Sequence, residues 1–171
     1  SSVKESRVQY LALAAKAARL RALSDGKPLE MPAEVLKEDP KTADEERRLY
    51  ESRREELDTQ VSIARQQPAQ RQQELNELRA KYENAARAFD LTSKELSVTK
   101  PLINSGAVSE VELLRLERDV ARFRGDRDMT SAQIGRVQAA ITEANRKIQE
   151  VELAFRNESG KELAETMAKL N

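Results

Sequence analysis

Residues 102–113 read LINSGAVSEVEL, and the reading of this stretch decides the fold. Long runs with a helical apolar repeat flank it on both sides, and Gly106 stands where those runs must reverse direction. Glycine reaches the left-handed conformation past a helix end at almost no steric cost, so Ser105 and Gly106 can end the first run. Ser109 can begin the second. Its hydroxyl is placed to accept from the Glu112 N–H while the Glu112 carboxylate reaches back to the Ser109 N–H, the reciprocal pattern of a capping box. Val108 and Leu113 then fall where a hydrophobic staple fixes the entry angle of a helix. Stop, cap and staple agree in register, so the stretch predicts a hairpin turn.

Working outward, both flanks keep a four-and-three spacing. Before the turn, Leu57, Val61, Ala64, Pro68, Arg71, Leu75, Leu78, Tyr82, Ala85, Phe89, Thr92 and Leu96 occupy successive seam positions. All but Pro68, Arg71 and Thr92 are apolar, which is the heptad signature of a coiled coil. After the turn the spacing returns in Leu113, Leu116, Val120, Phe123, Arg127, Thr130, Ile134, Val137, Ile141, Ala144, Ile148, Val151 and Phe155. Pro68 lacks an N–H and crowds the carbonyl four residues earlier, so a kink or local break is expected near Gln66 and Gln67. Gly125 and Gly135 should soften the returning arm, since glycine inside a helix costs about 1 kcal/mol against alanine. Beyond Phe155 the apolar residues Leu163, Met167 and Leu170 shift phase around Gly160. Local unwinding or a break at 158–162 is expected there.

Upstream, residues 1–24 are alanine-rich and helix-favouring, with small residues on more than one face, so the packing side is ambiguous. Asp25, Gly26 and Pro28 end that helix. Residues 25–42 carry Pro28, Pro32 and Pro40 and predict an extended connector. Either it is a plain linker, or Leu29, Met31, Val35 and Leu36 pack along a helix as the chain runs back. Thr42, with Glu45 three residues on, is a candidate cap for the helix that follows. The fold expected is all-α: a long antiparallel coiled-coil hairpin preceded by a shorter first helix and an extended, proline-containing connector. Its parts are a first helix over 1–24, the connector over 25–42, an ascending helix over 43–104, a tip at 105–109 and a returning helix over 110–171. Each arm would span about 60 residues, or roughly 90 Å. Both ends of the chain would then lie at the base, as in an insertion into another domain.

Composition limits what such a rod can do. The chain has 171 residues, 35% charged and 4% aromatic, a profile of long helices rather than of a thick core. Lysine plus arginine equals aspartate plus glutamate at 30 each, so no net field draws it to nucleic acid or anionic lipid. Cysteine, histidine and tryptophan are absent, which excludes cysteine nucleophiles, histidine bases and the usual zinc sites. Neighbouring carboxylates such as Asp44 with Glu45 point to different sides of a helix. The sequence therefore offers no catalytic, cofactor-binding or metal-ligating candidate and reads as a non-enzyme. No apolar run approaches the roughly 20 residues of a membrane span, and no signal-peptide pattern opens the sequence.

The segment GAVSEVELLRLERDVARFRGD, followed by FRNESGKELAETMAKL, resembles the helical part of HlyD-family periplasmic adaptors, the membrane fusion proteins of type I secretion systems. RLRALSDG at the end of the first helix belongs to the same resemblance, which covers most of the chain. It implies a hairpin inserted between two halves of a lipoyl-like β domain, hence a soluble fragment of a protein anchored in the inner membrane and working in the periplasm. It implies that the adaptor bridges an inner-membrane ABC transporter and a TolC-like outer-membrane channel. The tip would meet the channel, the transporter would be met by other domains, and several copies would form a ring. Related drug-efflux adaptors carry an arginine, a leucine four residues on and a serine seven after that. Leu102 and Ser109 match the last two, but Val98 stands where the arginine would be, which favours the secretion branch.

The candidate partner-binding residues are therefore those of the tip: Leu102, Ile103, Asn104, Ser105, Gly106, Val108, Ser109 and Glu112. The apolar ones either face a partner or close the tip against one another, and Ser109 with Glu112 is also fully explained as a helix cap. Alternatives to the secretion adaptor are a self-standing antiparallel coiled coil that tethers or dimerises, and the adaptor hairpin of a drug-efflux pump.

Overall fold

The computed structural model describes residues 2–171, and the regular structure among them is all helical, with no strand. In order they are α1 (Ser2–Asp25), α2 (Ala33–Glu38), α3 (Pro40–Ala64), α4 (Gln66–Thr99), a 3-10 turn (Lys100–Ile103) and α5 (Glu110–Leu170). They form two compact units. One comprises the chain up to Arg65 together with Asn145–Asn171, the other Gln66–Ala144.

In the first unit α1, α3 and the last part of α5 pack together. Leu11 and Ala15 meet Val35 and Ala43, Arg19 pairs with Glu46, and Ala22 and Leu23 meet Tyr50, so α1 runs parallel to α3. The connector makes this possible by running back along α1. Leu29 and Met31 pack against the core and Val35 is wholly buried, whereas Leu36 is exposed. The connector is not extended throughout, because residues 33–38 close a helix whose Asp39 N–H bonds to the Val35 carbonyl at 2.9 Å. Arg7 ties α2 to α1 through Glu34 and Glu38, and this pairing holds the Glu38 carboxyl below the usual carboxylate range. Tyr10 joins the cluster by donating to Glu34 at 2.9 Å.

One capping detail differs from the sequence reading. Asp39, not Thr42, caps α3: its carboxylate accepts from the Thr42 N–H at 3.3 Å and from the Thr42 hydroxyl at 2.8 Å. Pro40 follows in the first turn, where a missing N–H costs nothing. At its far end α3 stops at Ala64 and α4 starts at Gln66. Pro68 explains this, because it has no N–H for the Ala64 carbonyl. In the first turn of α4 the missing donor is harmless.

α5 is unbroken through Gly160, contrary to the expected unwinding or break at 158–162. The phase shift there serves packing instead. Ser159 and Thr166 are buried, and Arg21 of α1 reaches the Met167 sulfur at 3.6 Å. A Cβ on Gly160 would sit 3.2 Å from the Ser24 hydroxyl, so the glycine admits α1. The ambiguous packing side of α1 has the same origin, since Ala15, Ala17, Ala18 and Ala22 are all buried.

In the second unit α4 pairs with the first part of α5, and the seam is the one the heptads mark. Leu75, Ala85, Leu116, Val120, Thr130, Val137 and Ala144 are buried. Its polar members are accommodated locally. The Thr130 hydroxyl donates to the Asp126 carbonyl at 2.7 Å, so it is satisfied although only 1% exposed. The Arg127 guanidinium lies 4.5 Å from the centre of the Phe89 ring, with Arg124 at 5.4 Å, which turns a charged seam position into a cation–π contact.

Candidate functional site: the hairpin tip

Two residues shape the approach to the turn. Pro101 cannot donate to the Ser97 carbonyl, and the helix tightens into a 3-10 turn over Lys100–Ile103. Gly106 then takes φ +75°, with its N–H bonded to the Ile103 carbonyl at 3.0 Å. The Ser105 hydroxyl donates to the Leu102 carbonyl at 2.8 Å, so both residues satisfy carbonyls that the helix end leaves open.

The next helix starts at Ser109. Its hydroxyl accepts from the Glu112 N–H at 3.3 Å, and the Leu113 N–H bonds to the Ser109 carbonyl at 3.2 Å. Among the described residues the reciprocal bond from the Glu112 carboxylate is not formed, so the box is half built. Glu110 and Glu112 still place two negative charges in the first turn, where the helix dipole favours them. Val108 and Leu113, the staple positions, are both half-buried.

Of the expected partner-binding residues, Asn104, Ser105, Gly106, Ser109 and Glu112 are exposed, Leu102 is exposed at 41%, and Ile103 and Val108 are half-buried. The apolar residues thus divide: Ile103 and Val108 close the tip, and Leu102 faces out. Sequence reasoning missed other apolar side chains beside them. Val98 is 70% exposed, Val111 77% and Leu114 63%. Their signal is in the heptad itself, for all three are apolar residues off the seam. A notch of about 620 Å³ lies between the 3-10 turn and the start of α5, walled by Pro101, Ile103, Leu113 and Leu114, with Lys100 and Glu110 at its edge. The apex thus gathers several exposed apolar side chains in one place. Among the described residues no group of acidic side chains is placed to hold a metal, and no helix is long and apolar enough to cross a membrane.

Comparison with known proteins places this geometry. The family model described as "AprE, long alpha-helical hairpin" matches residues 1–171. No protein of curated function matches the sequence. Among solved structures, the soluble domain of LipC, a membrane fusion protein of a type I secretion system, superposes with a TM-score of 0.85 at 22% identity, over 99% of this chain and 82% of that one. At that identity the likeness establishes the fold.

Proposed function

Because the chain belongs to the AprE long α-helical hairpin family, we propose that it is the hairpin of a type I secretion membrane fusion protein working in the periplasm. In this reading it bridges an inner-membrane ABC transporter and a TolC-like outer-membrane channel, with the tip as the channel contact. Its role is mechanical, resting on reach, rigidity and recognition at the apex rather than on catalysis. The observation that carries the reading is the family match along the whole chain. The exposed apolar apex supports the tip as the contact, and the likeness to LipC agrees with the secretion branch.

Val98 decides what kind of contact this would be. With valine where efflux relatives carry arginine, the apex offers Val98, Leu102, Val111 and Leu114 as its large exposed apolar side chains, so docking rests chiefly on apolar burial. In the complete adaptor, Leu102→Glu and Val111→Glu are each expected to abolish export while circular dichroism stays helical, since neither side chain belongs to the seam. Normal export by both variants would remove the tip from the mechanism.

A further inference from the structure

The first unit holds a second feature that the adaptor reading does not use. Where α1 stops at Asp25, α3 and α5 continue, and a half-walled cleft of about 460 Å³ opens beside the Gly26–Lys27 turn. That volume lies in the range of small-molecule sites, which are mostly apolar with a few placed polar groups. Leu57, Val61 and Phe155 form an apolar floor.

Two guanidinium groups converge on the turn. The buried Tyr50 hydroxyl donates to the Lys27 carbonyl at 3.0 Å and accepts from Arg54 Nη1 at 2.7 Å, which fixes Arg54 at the cleft wall. Arg156 comes from the opposite side. Gly26 has φ +68°, and a Cβ there would lie 2.8 Å from Arg156 Nη2, so the glycine makes room for the guanidinium. Lys27 adds a third cation beside them, and Arg65 lies further along the cleft.

Some arginines of this unit are matched with carboxylates, as in Arg7 with Glu38, Arg19 with Glu46 and Arg53 with Glu56, and others such as Arg21, Arg47 and Arg48 form no such pair. Among the described residues, neither Arg54 nor Arg156 forms such a pair. Asp58 and Glu152 also line the cleft, one turn away on the same helices, yet neither closes onto these guanidinium groups. Arg54 and Arg156 are both exposed, so water screens their repulsion, and an anion held between them beside the apolar floor would relieve what remains. Guanidinium forks suit carboxylate and phosphate oxygens, which accept two parallel N–H bonds.

We propose that this cleft binds an anionic amphiphile, with a carboxylate or phosphate head between Arg54 and Arg156 and a short apolar tail along Leu57, Val61 and Phe155. The site is independent of the tip and goes beyond the adaptor reading.

Titration of the 171-residue chain with dodecanoate and with dodecyl phosphate, both below their aggregation concentrations, tests it by calorimetry and by methyl NMR. One equivalent should bind saturably and shift the Leu57 and Val61 methyl signals, and the tighter of the two probes identifies the head group. The double variant Arg54→Gln with Arg156→Gln should weaken binding about 10-fold or more, the loss expected for charge-assisted pairs. Arg156→Lys, which keeps the charge and loses the fork, should fall between. Arg48→Gln, at an exposed residue of α3 outside the cleft, should bind as the unaltered chain does. The proposal is overturned if dodecyltrimethylammonium binds the same methyl groups as tightly, because apolar adhesion would then be sufficient. It is equally overturned if inorganic phosphate alone binds as well as dodecyl phosphate, or if the double variant keeps its helicity and its affinity.

Discussion

Two glycines in this chain carry positive φ, and they do so for different reasons. Gly106 has φ +75° and open space where a Cβ would point, so only its backbone conformation resists substitution. Gly26 has φ +68° and also faces Arg156, whose guanidinium would lie 2.8 Å from a new Cβ. Placing an L side chain in the left-handed region costs about 1–2 kcal/mol. Gly106→Ala should therefore destabilise by about that much in urea titration, and Gly26→Ala by more, because Arg156 must also move. Equal losses would show that Arg156 yields freely. Gly106 is legible in the sequence because the apolar repeat stops on both sides of it. Gly26 is legible only as a helix stop, since its contact with Arg156 joins residues far apart along the chain. Val98, Val111 and Leu114 are visible as off-seam apolar residues, but their gathering at one apex depends on how tightly the turn closes, which the heptad does not state.

At the scale of the element, the long helices follow the heptad repeat, and the exceptions trace to prolines or to a third helix. Pro68 leaves the Ala64 carbonyl without a donor, and α3 ends there. Replacing it by alanine restores the N–H at residue 68. Pro68→Ala should therefore join α3 to α4 in one helix, seen as slowed amide exchange at 65–68 and added helicity by circular dichroism. An interruption that persists at Arg65 in that variant would assign the break to something other than the proline. Gly125 and Gly135 make the complementary case. Both are helical residues of α5, and a Cβ added to either would meet nothing within 4 Å, so no packing reason demands them. Gly125→Ala and Gly135→Ala should each stabilise by about 1 kcal/mol, measured as a raised urea midpoint, and a loss at either site would reveal a packing partner. The repeat is readable because every turn of the two arms states it again. The connector is not, because whether Val35 buries depends on α1 lying beside it. The phase shift at Gly160 suggests a break for the same reason: heptad arithmetic assumes one partner, and α5 has two there.

At the scale of the whole chain, the two units differ in how their helices are held. In the first, α5 is packed against α1 and α3 around Ala22, Leu23, Tyr50 and Phe155, and ion pairs such as Arg53 with Glu158 add to this. In the second, α5 has α4 as its neighbour, and its outward face is mostly charged, polar or small, with Val111, Leu114 and Met129 exposed. Local opening is governed by how much buried apolar contact must be broken, so protection should change along a single continuous helix. Native-state hydrogen exchange should find the amides of residues 148–166 opening more slowly than those of residues 116–137, by about 10-fold or more for each 1.4 kcal/mol of added burial. Terminal fraying works against this prediction at Leu170 but not at Phe155, which lies several turns inside. Uniform protection along α5 would mean that the helix opens as one cooperative rod. A gradient would place the stable end in the unit that holds α1, and would leave the seam around Thr130 and Arg127 as the part of α5 that yields first under load.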